Sequence, residues 1–213
     1  MPLEFSIFKP YPKLQYGLSE KKDGSMKLFN DAKKNKTTFE NRKKYFSQLK
    51  IPFERVVSAG LTSSDNIQIV GQKDAGKIIP NTDALATDKP NLFLTVTVAD
   101  CFPVYFYVPS VKAIALVHAG WRGIVNNIVG VAVDTILKNW RTSKEKILVG
   151  IGPGIQKCHF EIKEDVLENF KKYPKAIIKK EKRIFIDLPS IIIKQLKDAG
   201  IKDKNIPRFS KSE

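Results

Sequence analysis

The segment NLFLTVTVADCFPVYFYVPSVKAIALVHAGW, residues 91–121, constrains the fold of this chain more than any other stretch. It is rich in β-branched and aromatic residues, which favour strands. Prolines bound it at Pro90 and divide it at Pro109, and a proline is poorly tolerated inside a central strand. The pattern predicts a strand, a break at residues 100–103, a second strand, and a third strand after Pro109.

The turn between the last two strands fixes which side chains meet. In VPSV, residues 108–111, Pro109 occupies the second position that favours a type I turn. If Pro109 and Ser110 form the centre of a two-residue loop, Cys101 lies directly opposite His118. Side chains paired in this way have Cβ atoms about 4.5–5.5 Å apart, whereas an odd loop would turn them to opposite faces. We therefore expect a thiol and an imidazole to meet on one face of a hairpin.

A cysteine beside a histidine is compatible with two chemistries and one structural role. The thiolate can act as a nucleophile that the imidazole activates as a base. The two side chains can also supply two ligands of a zinc or copper site that needs a third. Alternatively, Cys101 is a buried cysteine and His118 a hydrogen-bonded core histidine. The pair alone leaves all three interpretations open.

The residues after His118 favour a ligand pocket. Gly120 and Gly123 flank Trp121 and Arg122 at the point where the strand pattern gives way to a predicted helix, GIVNNIVGVAVDTILKNW. A strand-to-helix junction offers free backbone N–H groups and the positive end of a helix dipole. Arg122 can pair with an anion and Trp121 can provide a stacking face. The junction suits a ligand with a phosphate, a carboxylate or a flat ring.

The charge of the chain does not by itself indicate a nucleic-acid partner. The formal net charge is +15, which would attract phosphate backbones. However, arginine, which makes the bidentate contacts typical of nucleic-acid readers, stands at only six positions. The lysines are spread over several loops and helix faces. We predict no specific nucleic-acid site.

The N-terminal pattern, the hydropathy and the cysteine spacing predict the cellular compartment and the redox state of the cysteines. The chain starts without a signal peptide pattern, and it has no run of about 18 apolar residues. Its two cysteines, Cys101 and Cys158, lack the spacing of a disulfide framework or a thiolate zinc finger. We expect a cytoplasmic protein with free thiols and no membrane partner; the number of chains in the assembly is not predicted.

The rest of the chain alternates strand and helix patterns without a regular βαβ rhythm. Strand patterns occur in RVVSAG, NIQIVG and KILVGIG, and helix patterns in TTFENRKKYFSQLK, KEDVLENFKKY and LPSIIIKQLKDAG. This order predicts an α/β (mixed α+β) fold, with mixed β-sheets flanked by helices, rather than a doubly wound parallel sheet. We expect one domain over residues 1–213.

Three motifs resemble a known family. TVADCFPVYFY, ALVHAGWRGIVNNI and GIGPGIQKCHFEI stand in this order, with ENRKKYF and NTDALATDKP upstream. Together they resemble the laccase-domain family, described as multicopper polyphenol oxidases and later as purine nucleoside phosphorylases. The resemblance implies a mixed α/β fold similar to cysteine hydrolases of the bacterial deamidase toxin type. It also implies a zinc ion held by a histidine, a cysteine and a second histidine, of which Cys101 and His118 are the last two.

The chain departs from the family pattern at the first zinc ligand. That histidine should stand in a Gln-Val-His-Gly segment, but the matching stretch GLTSSDNIQIV has Leu61 and Ser63 at the glutamine and histidine positions. No histidine precedes His118 to replace it, and serine is a poor zinc ligand. The resemblance also leads us to expect Cys-Thr and Ser-Tyr-Arg-Arg segments, with a final strand and an arginine near the pocket, where the sequence reads IPRFSKSE.

The leading functional prediction is a transferase of the purine nucleoside phosphorylase type with a weakened zinc site. The resemblance implies phosphorolysis of adenosine, inosine, guanosine or methylthioadenosine, together with deamination of adenosine. Purine nucleoside and phosphate are then the small-molecule partners. Cys101 and His118 would be the catalytic or metal-binding pair, and Arg122 would hold phosphate or ribose. The remaining predicted lining residues are Ser63, Trp121, Gly120 and Gly123.

Three other functions follow from the same residues. A degenerate family member would bind nucleosides without turning them over, as the replacement at Ser63 suggests. A metal-independent Cys/His hydrolase would use Cys101 as the nucleophile and His118 as the base. A copper-dependent phenol oxidase ranks lowest, because two histidines cannot build the imidazole-rich centres that this chemistry requires.

Overall fold

The predicted hairpin forms the centre of a five-stranded sheet. The computed structural model describes residues 3–28 and 35–207. In sheet order the strands are β2 (Ile67–Ile69), β4 (Ala84–Thr87), β7 (Ala113–Ala119), β6 (Phe102–Val108) and β8 (Leu148–Ile151). β2 runs parallel to β4, and the other neighbours are antiparallel. The sheet is therefore mixed, as expected.

The predicted register of the hairpin is wrong by two residues. The predicted turn at Pro109 and Ser110 exists, because the Val111 N–H donates to the Val108 carbonyl at 3.3 Å. Lys112 then adopts a left-handed conformation, with φ 55°, and lengthens the loop, so that Val108 pairs with Ala113. As a result His118 pairs with Pro103 and not with Cys101. Because the shift is even, Cys101 and His118 still belong to the same face of the sheet.

The two faces of the hairpin are covered by different elements. On one face, Val104, Phe106 and Val117 are buried in the main core with α3 (Ile128–Asn139) and α5 (Leu188–Asp198). On the other, Tyr105, Tyr107 and Leu148 pack against the N-terminal residues Leu3, Phe5 and Phe8. Alternation along each strand separates the two sets, as expected for a strand covered on both sides.

Two smaller three-stranded sheets flank the central one. The first is parallel and has the order β3 (Ile78–Ile79), β1 (Val56–Ala59), β5 (Phe93–Thr95), and it packs beside α1 (Lys36–Gln48). The second is antiparallel, with the order β10 (Ile177–Lys180), β11 (Arg183–Ile186), β9 (Glu161–Ile162). The predicted mixed α/β class with helices flanking mixed sheets is confirmed.

Two predicted helices differ from the structure. The helix expected after His118 is divided into α2 (Trp121–Val125) and α3, because Asn127 adopts the left-handed conformation with φ 66°. KEDVLENFKKY forms only α4 (Glu164–Leu167) and a following 3₁₀ turn. Over residues 3–28 and 35–207, no helix has the length and apolar character needed to cross a bilayer.

Candidate active site

Cys101 and His118 meet at one end of the central hairpin. Cys101 lies just before β6 and is half-buried, and His118 lies near the end of β7 with 8% exposure. Their side chains lie side by side against Gly120, and Cys101 raises the pKa of His118. A Cβ atom built on Gly120 would lie 3.3 Å from Cys101 Sγ and 3.2 Å from His118 Cε1. Glycine at this position therefore leaves room for the thiol and the imidazole beside the backbone.

Asp83 holds the other side of the imidazole ring. His118 Nδ1 donates to Asp83 Oδ1 at 2.8 Å, and the His118 backbone N–H donates to the Asp83 carbonyl at 2.8 Å. The Asp83 residue is fully buried. With Nδ1 fixed by the carboxylate, Nε2 is the ring nitrogen left for Cys101 or a ligand. The three residues form a thiol–imidazole–carboxylate chain of the kind that activates a nucleophile.

Burial and polar interactions act in opposite directions on the pKa values of His118 and Asp83. Burial of the ring on its own lowers the pKa of His118, but its interactions with Asp83 and Cys101 outweigh burial and raise that pKa to about 9. Burial on its own raises the pKa of Asp83, but hydrogen bonds from His118, Ser64 and Thr62 hold it well below its usual range. At neutral pH the pair is therefore ionised and the carboxylate orients the ring.

The loop at residues 61–64 wraps around the same carboxylate. The Ser63 N–H donates to Asp83 Oδ1 at 3.0 Å, while the Ser64 N–H and hydroxyl donate to Oδ2, both at 2.8 Å. Thr62 adds its own N–H at 3.1 Å. Ser63 is exposed and adopts the left-handed conformation with φ 59°. Ser63, the predicted position of the missing zinc ligand, and His118 therefore both donate hydrogen bonds to the Asp83 carboxylate.

Gly123 brings the first turn of α2 against this loop. A Cβ atom on Gly123 would lie 3.0 Å from the Ser64 carbonyl oxygen, which is closer than ordinary van der Waals contact. The glycine therefore lets the backbone of α2 approach the loop that carries Ser63. Both glycines were expected to line the pocket. Gly120 lies beside Cys101 and His118, and Gly123 lies beside the loop that carries Ser63.

Arg122 and Trp121 make contacts that the sequence did not predict. The Trp121 indole packs against Phe170, with ring centroids 6.1 Å apart, at the edge of the main core. Arg122 is exposed, and its guanidinium carbon lies 4.3 Å from the centroid of the Trp121 ring. A ligand that stacks on this face of the indole must displace the guanidinium. The short α2 carries Arg122 beside the site, with no ion pair to it from the described residues.

The glycine-rich segment after β8 covers the start of β6. Cβ atoms on Gly152 and Gly154 would lie 2.7 Å from the side chains of Pro103 and Phe102, and the Ile155 N–H donates to the Asp100 carbonyl at 2.7 Å. Beyond this segment, Cys158 and His159 are exposed and contact each other at 3.0 Å. Pro103 and Phe102 are thus held in place beside Cys101 by the glycine-rich segment.

The residues at this site do not supply a complete zinc site. Catalytic zinc is held by three protein ligands, and a ligating histidine commonly donates its second nitrogen to a carboxylate. His118 has this orientation, with Asp83 as the carboxylate, and Cys101 would be the second ligand. Across the part of the chain that the structure describes, no three His, Cys, Asp or Glu side chains are grouped to hold a metal. We therefore derive no reaction step through zinc.

Asp83 is the residue that the sequence reasoning did not identify. It lies in NTDALATDKP, immediately before β4, and β4 pairs with β7 so that Ala84 is opposite Val117. An acidic residue at the start of an apolar strand was the available signal. Its partner could not be found from the sequence, because Asp83 and His118 are 35 residues apart and the order of strands was not predicted.

Known proteins provide a comparison for this geometry. A purine nucleoside phosphorylase of Clostridium acetobutylicum is 30% identical over 194 residues, which cover 88% of this chain and 81% of that protein. Purine nucleoside phosphorylase YlmD of Geobacillus stearothermophilus is 32% identical over 138 residues, which cover 62% of this chain and 50% of the relative. The matched region thus spans about half the length of YlmD.

Solved structures show the same fold. The hypothetical protein YfiH of Bacillus licheniformis matches with a TM-score of 0.77 and 32% identity, covering 81% of this chain and 70% of that one. YlmD of Geobacillus stearothermophilus matches with a TM-score of 0.77 and 28% identity, covering 82% and 69%. The family model described as multi-copper polyphenol oxidoreductase laccase matches residues 14–211. The chain therefore belongs to the multi-copper polyphenol oxidoreductase laccase family.

Proposed function

We propose that this chain is a purine nucleoside phosphorylase whose reacting groups are Cys101 and His118. The observation that carries the proposal is the Asp83–His118 hydrogen bond, which holds the imidazole beside the half-buried Cys101 thiol at one end of the central hairpin. Relatives that bear the name purine nucleoside phosphorylase support the substrate class. The substrates are then a purine nucleoside, among them adenosine, inosine, guanosine and methylthioadenosine, and inorganic phosphate.

In phosphorolysis a phosphate oxygen attacks C1′ of the ribose and the bond from C1′ to the purine breaks. The products are the free base and ribose 1-phosphate, and the departing base must receive a hydrogen bond or a proton. His118 Nε2, held in place through Nδ1 by Asp83, is positioned for that contact. Arg122, at the exposed start of α2, is the proposed phosphate or ribose contact, and Ser63, Trp121, Gly120 and Gly123 line the site.

The proposal extends to the cofactor, the domain and the compartment. Zinc would bind weakly to Cys101 and His118, because Ser63 stands where a third ligand is expected. One domain would span residues 1–213, and the reaction would take place in the cytoplasm, without a nucleic-acid or membrane partner. Deamination of adenosine is a further reaction proposed for the same pair.

Restoring a histidine at position 63 tests the proposed ligand position. In Ser63→His the imidazole is added to the loop that contacts Asp83, and histidine tolerates the left-handed conformation found there. We expect zinc affinity, measured by titration calorimetry with zinc alone, to increase at least about tenfold. Asp65→His, two residues further along the same loop, is the matched control. Equal affinities of Ser63→His and the unmodified protein would contradict the assignment.

A second candidate function is a metal-independent hydrolase. Asp83, His118 and Cys101 have the order orienting carboxylate, proton-donating imidazolium and nucleophile. In this reaction the thiolate attacks the carbon of a C–N bond, the amine leaves with a proton from His118, and water releases the product from the sulfur. Such activity needs no metal and no phosphate.

One assay separates the candidate functions. The purified protein is incubated with inosine or adenosine, with and without phosphate, zinc and a chelator, and the free base, ammonia and ribose 1-phosphate are quantified. Phosphorolysis predicts that base and ribose 1-phosphate appear in equal amounts and only with phosphate. Ammonia released in the presence of chelator and without phosphate would support the hydrolase instead. Nucleoside binding without any product would overturn both and indicate a binding protein.

A further inference from the structure

A second feature of the molecule is a cavity on the same face of the hairpin. Its volume is about 430 Å³, within the range of small-molecule pockets. It lies between the N-terminal segment 14–19, α1, β5 and the hairpin, and its lining includes Tyr16, Met26, Phe93 and Leu116. Cys101, Asp83 and His118 are not among the lining residues. The cavity reaches Pro103, which pairs with His118, but none of the proposed reacting groups lines it.

Arg42 gives this mainly apolar cavity its charge. The residue belongs to α1, lines the cavity and is only 3% exposed. Its guanidinium donates to Ser58 Oγ at 2.6 Å, to Thr95 Oγ1 at 2.8 Å and to the Met26 carbonyl at 3.3 Å. These neutral acceptors fix the plane of the guanidinium on the wall of the cavity.

Within residues 3–28 and 35–207, no carboxylate balances the charge of Arg42. Arg42 forms no ion pair with the described residues, none of the lining residues is acidic, and its buried Nε has no hydrogen-bond partner. A buried charge without a counter-charge is costly, and proteins normally pair it. Burial lowers the pKa of Arg42 to about 10, so the guanidinium is still charged at neutral pH.

We propose that this cavity binds a small organic acid, whose apolar body contacts the aromatic and aliphatic walls and whose acidic group pairs with Arg42. The neutral hydroxyls and carbonyl around the guanidinium leave its positive charge available to a ligand. Arginine pairs with carboxylate, phosphate and sulfonate oxygens through charged hydrogen bonds. The tyrosines, phenylalanines and leucines of the wall suit an aromatic or branched apolar body.

Two dyes that differ by one acidic group test the proposal. Anilinonaphthalene sulfonate and its uncharged counterpart phenylnaphthylamine share the same apolar body, and both fluoresce when they enter an apolar site. We expect the folded protein to bind the sulfonate at least about tenfold more tightly than the neutral dye. In Arg42→Met this preference is expected to disappear. Arg55→Met, which removes an exposed arginine outside the cavity, should leave it unchanged.

A second variant keeps the test decisive if Arg42→Met does not fold. Leu116→Trp retains Arg42 and fills part of the cavity, so we expect it to weaken binding of both dyes at least about tenfold while circular dichroism stays unchanged. Equal binding of the two dyes to the unmodified protein, or an undiminished sulfonate preference in folded Arg42→Met, would overturn the proposal. Displacement of the sulfonate by inorganic phosphate but not by benzoate would overturn the organic-acid assignment in favour of free phosphate.

Discussion

Replacing Asp83 by alanine is expected to lower the free energy of unfolding by about 3–5 kcal/mol. The change removes a fully buried carboxylate and leaves His118 Nδ1 and the N–H groups of Ser63 and Ser64 without their acceptor. The cost is large because the charged imidazole would stay buried without its counter-charge. We also expect the loop at residues 61–64 to separate from the sheet.

Chemical denaturation followed by circular dichroism measures this effect. Asp134→Ala, which removes an exposed carboxylate from α3, is the matched control and should change the free energy of unfolding by less than about 0.5 kcal/mol. Asp83→Asn keeps the shape of the side chain and one acceptor oxygen, so its loss should lie between the two. A loss below about 1 kcal/mol in Asp83→Ala would show that the carboxylate does not organise the site.

The predicted pairing of Cys101 with His118 was wrong, because His118 pairs with Pro103, but the prediction placed the two residues on the correct face. The actual loop is longer than the expected one by two residues because of Lys112. Successive side chains of a strand point to opposite faces, so a register error of two residues leaves Cys101 and His118 on the same face. A one-residue error would have separated them. The prediction of a shared face therefore depended on an even number of loop residues and not on the exact length of the loop.

Other features of the site depend on contacts between distant segments. Asp83 reaches His118 because β4 and β7 are neighbours, and Arg42 enters the wall of a cavity built from four separate parts of the chain. The break at Asn127 is set by one left-handed residue inside a stretch with helical periodicity. Local patterns identify strands and helices, but they do not specify which of them become neighbours in space.

Replacing Cys101 by alanine is expected to reduce phosphorolysis by at least about a thousandfold, because removing a member of a reacting pair leaves only binding and orientation. His118→Ala should cause a loss of similar size, and the double variant should lose little more than either single one. Cys101 is half-buried and adjoins a glycine, so Cys101→Ala should retain the fold. Cys158→Ala, which removes the exposed cysteine, is the matched control.

The most direct test of the account is the rate of phosphate-dependent base release from inosine and adenosine by the unmodified protein, Cys101→Ala and Cys158→Ala. Circular dichroism of each protein confirms the fold before the rates are compared. We predict release by the unmodified protein and by Cys158→Ala, and a loss of at least about a thousandfold in Cys101→Ala. Equal rates in all three proteins, or no release by any of them, would contradict a catalytic role for the Cys101–His118 pair.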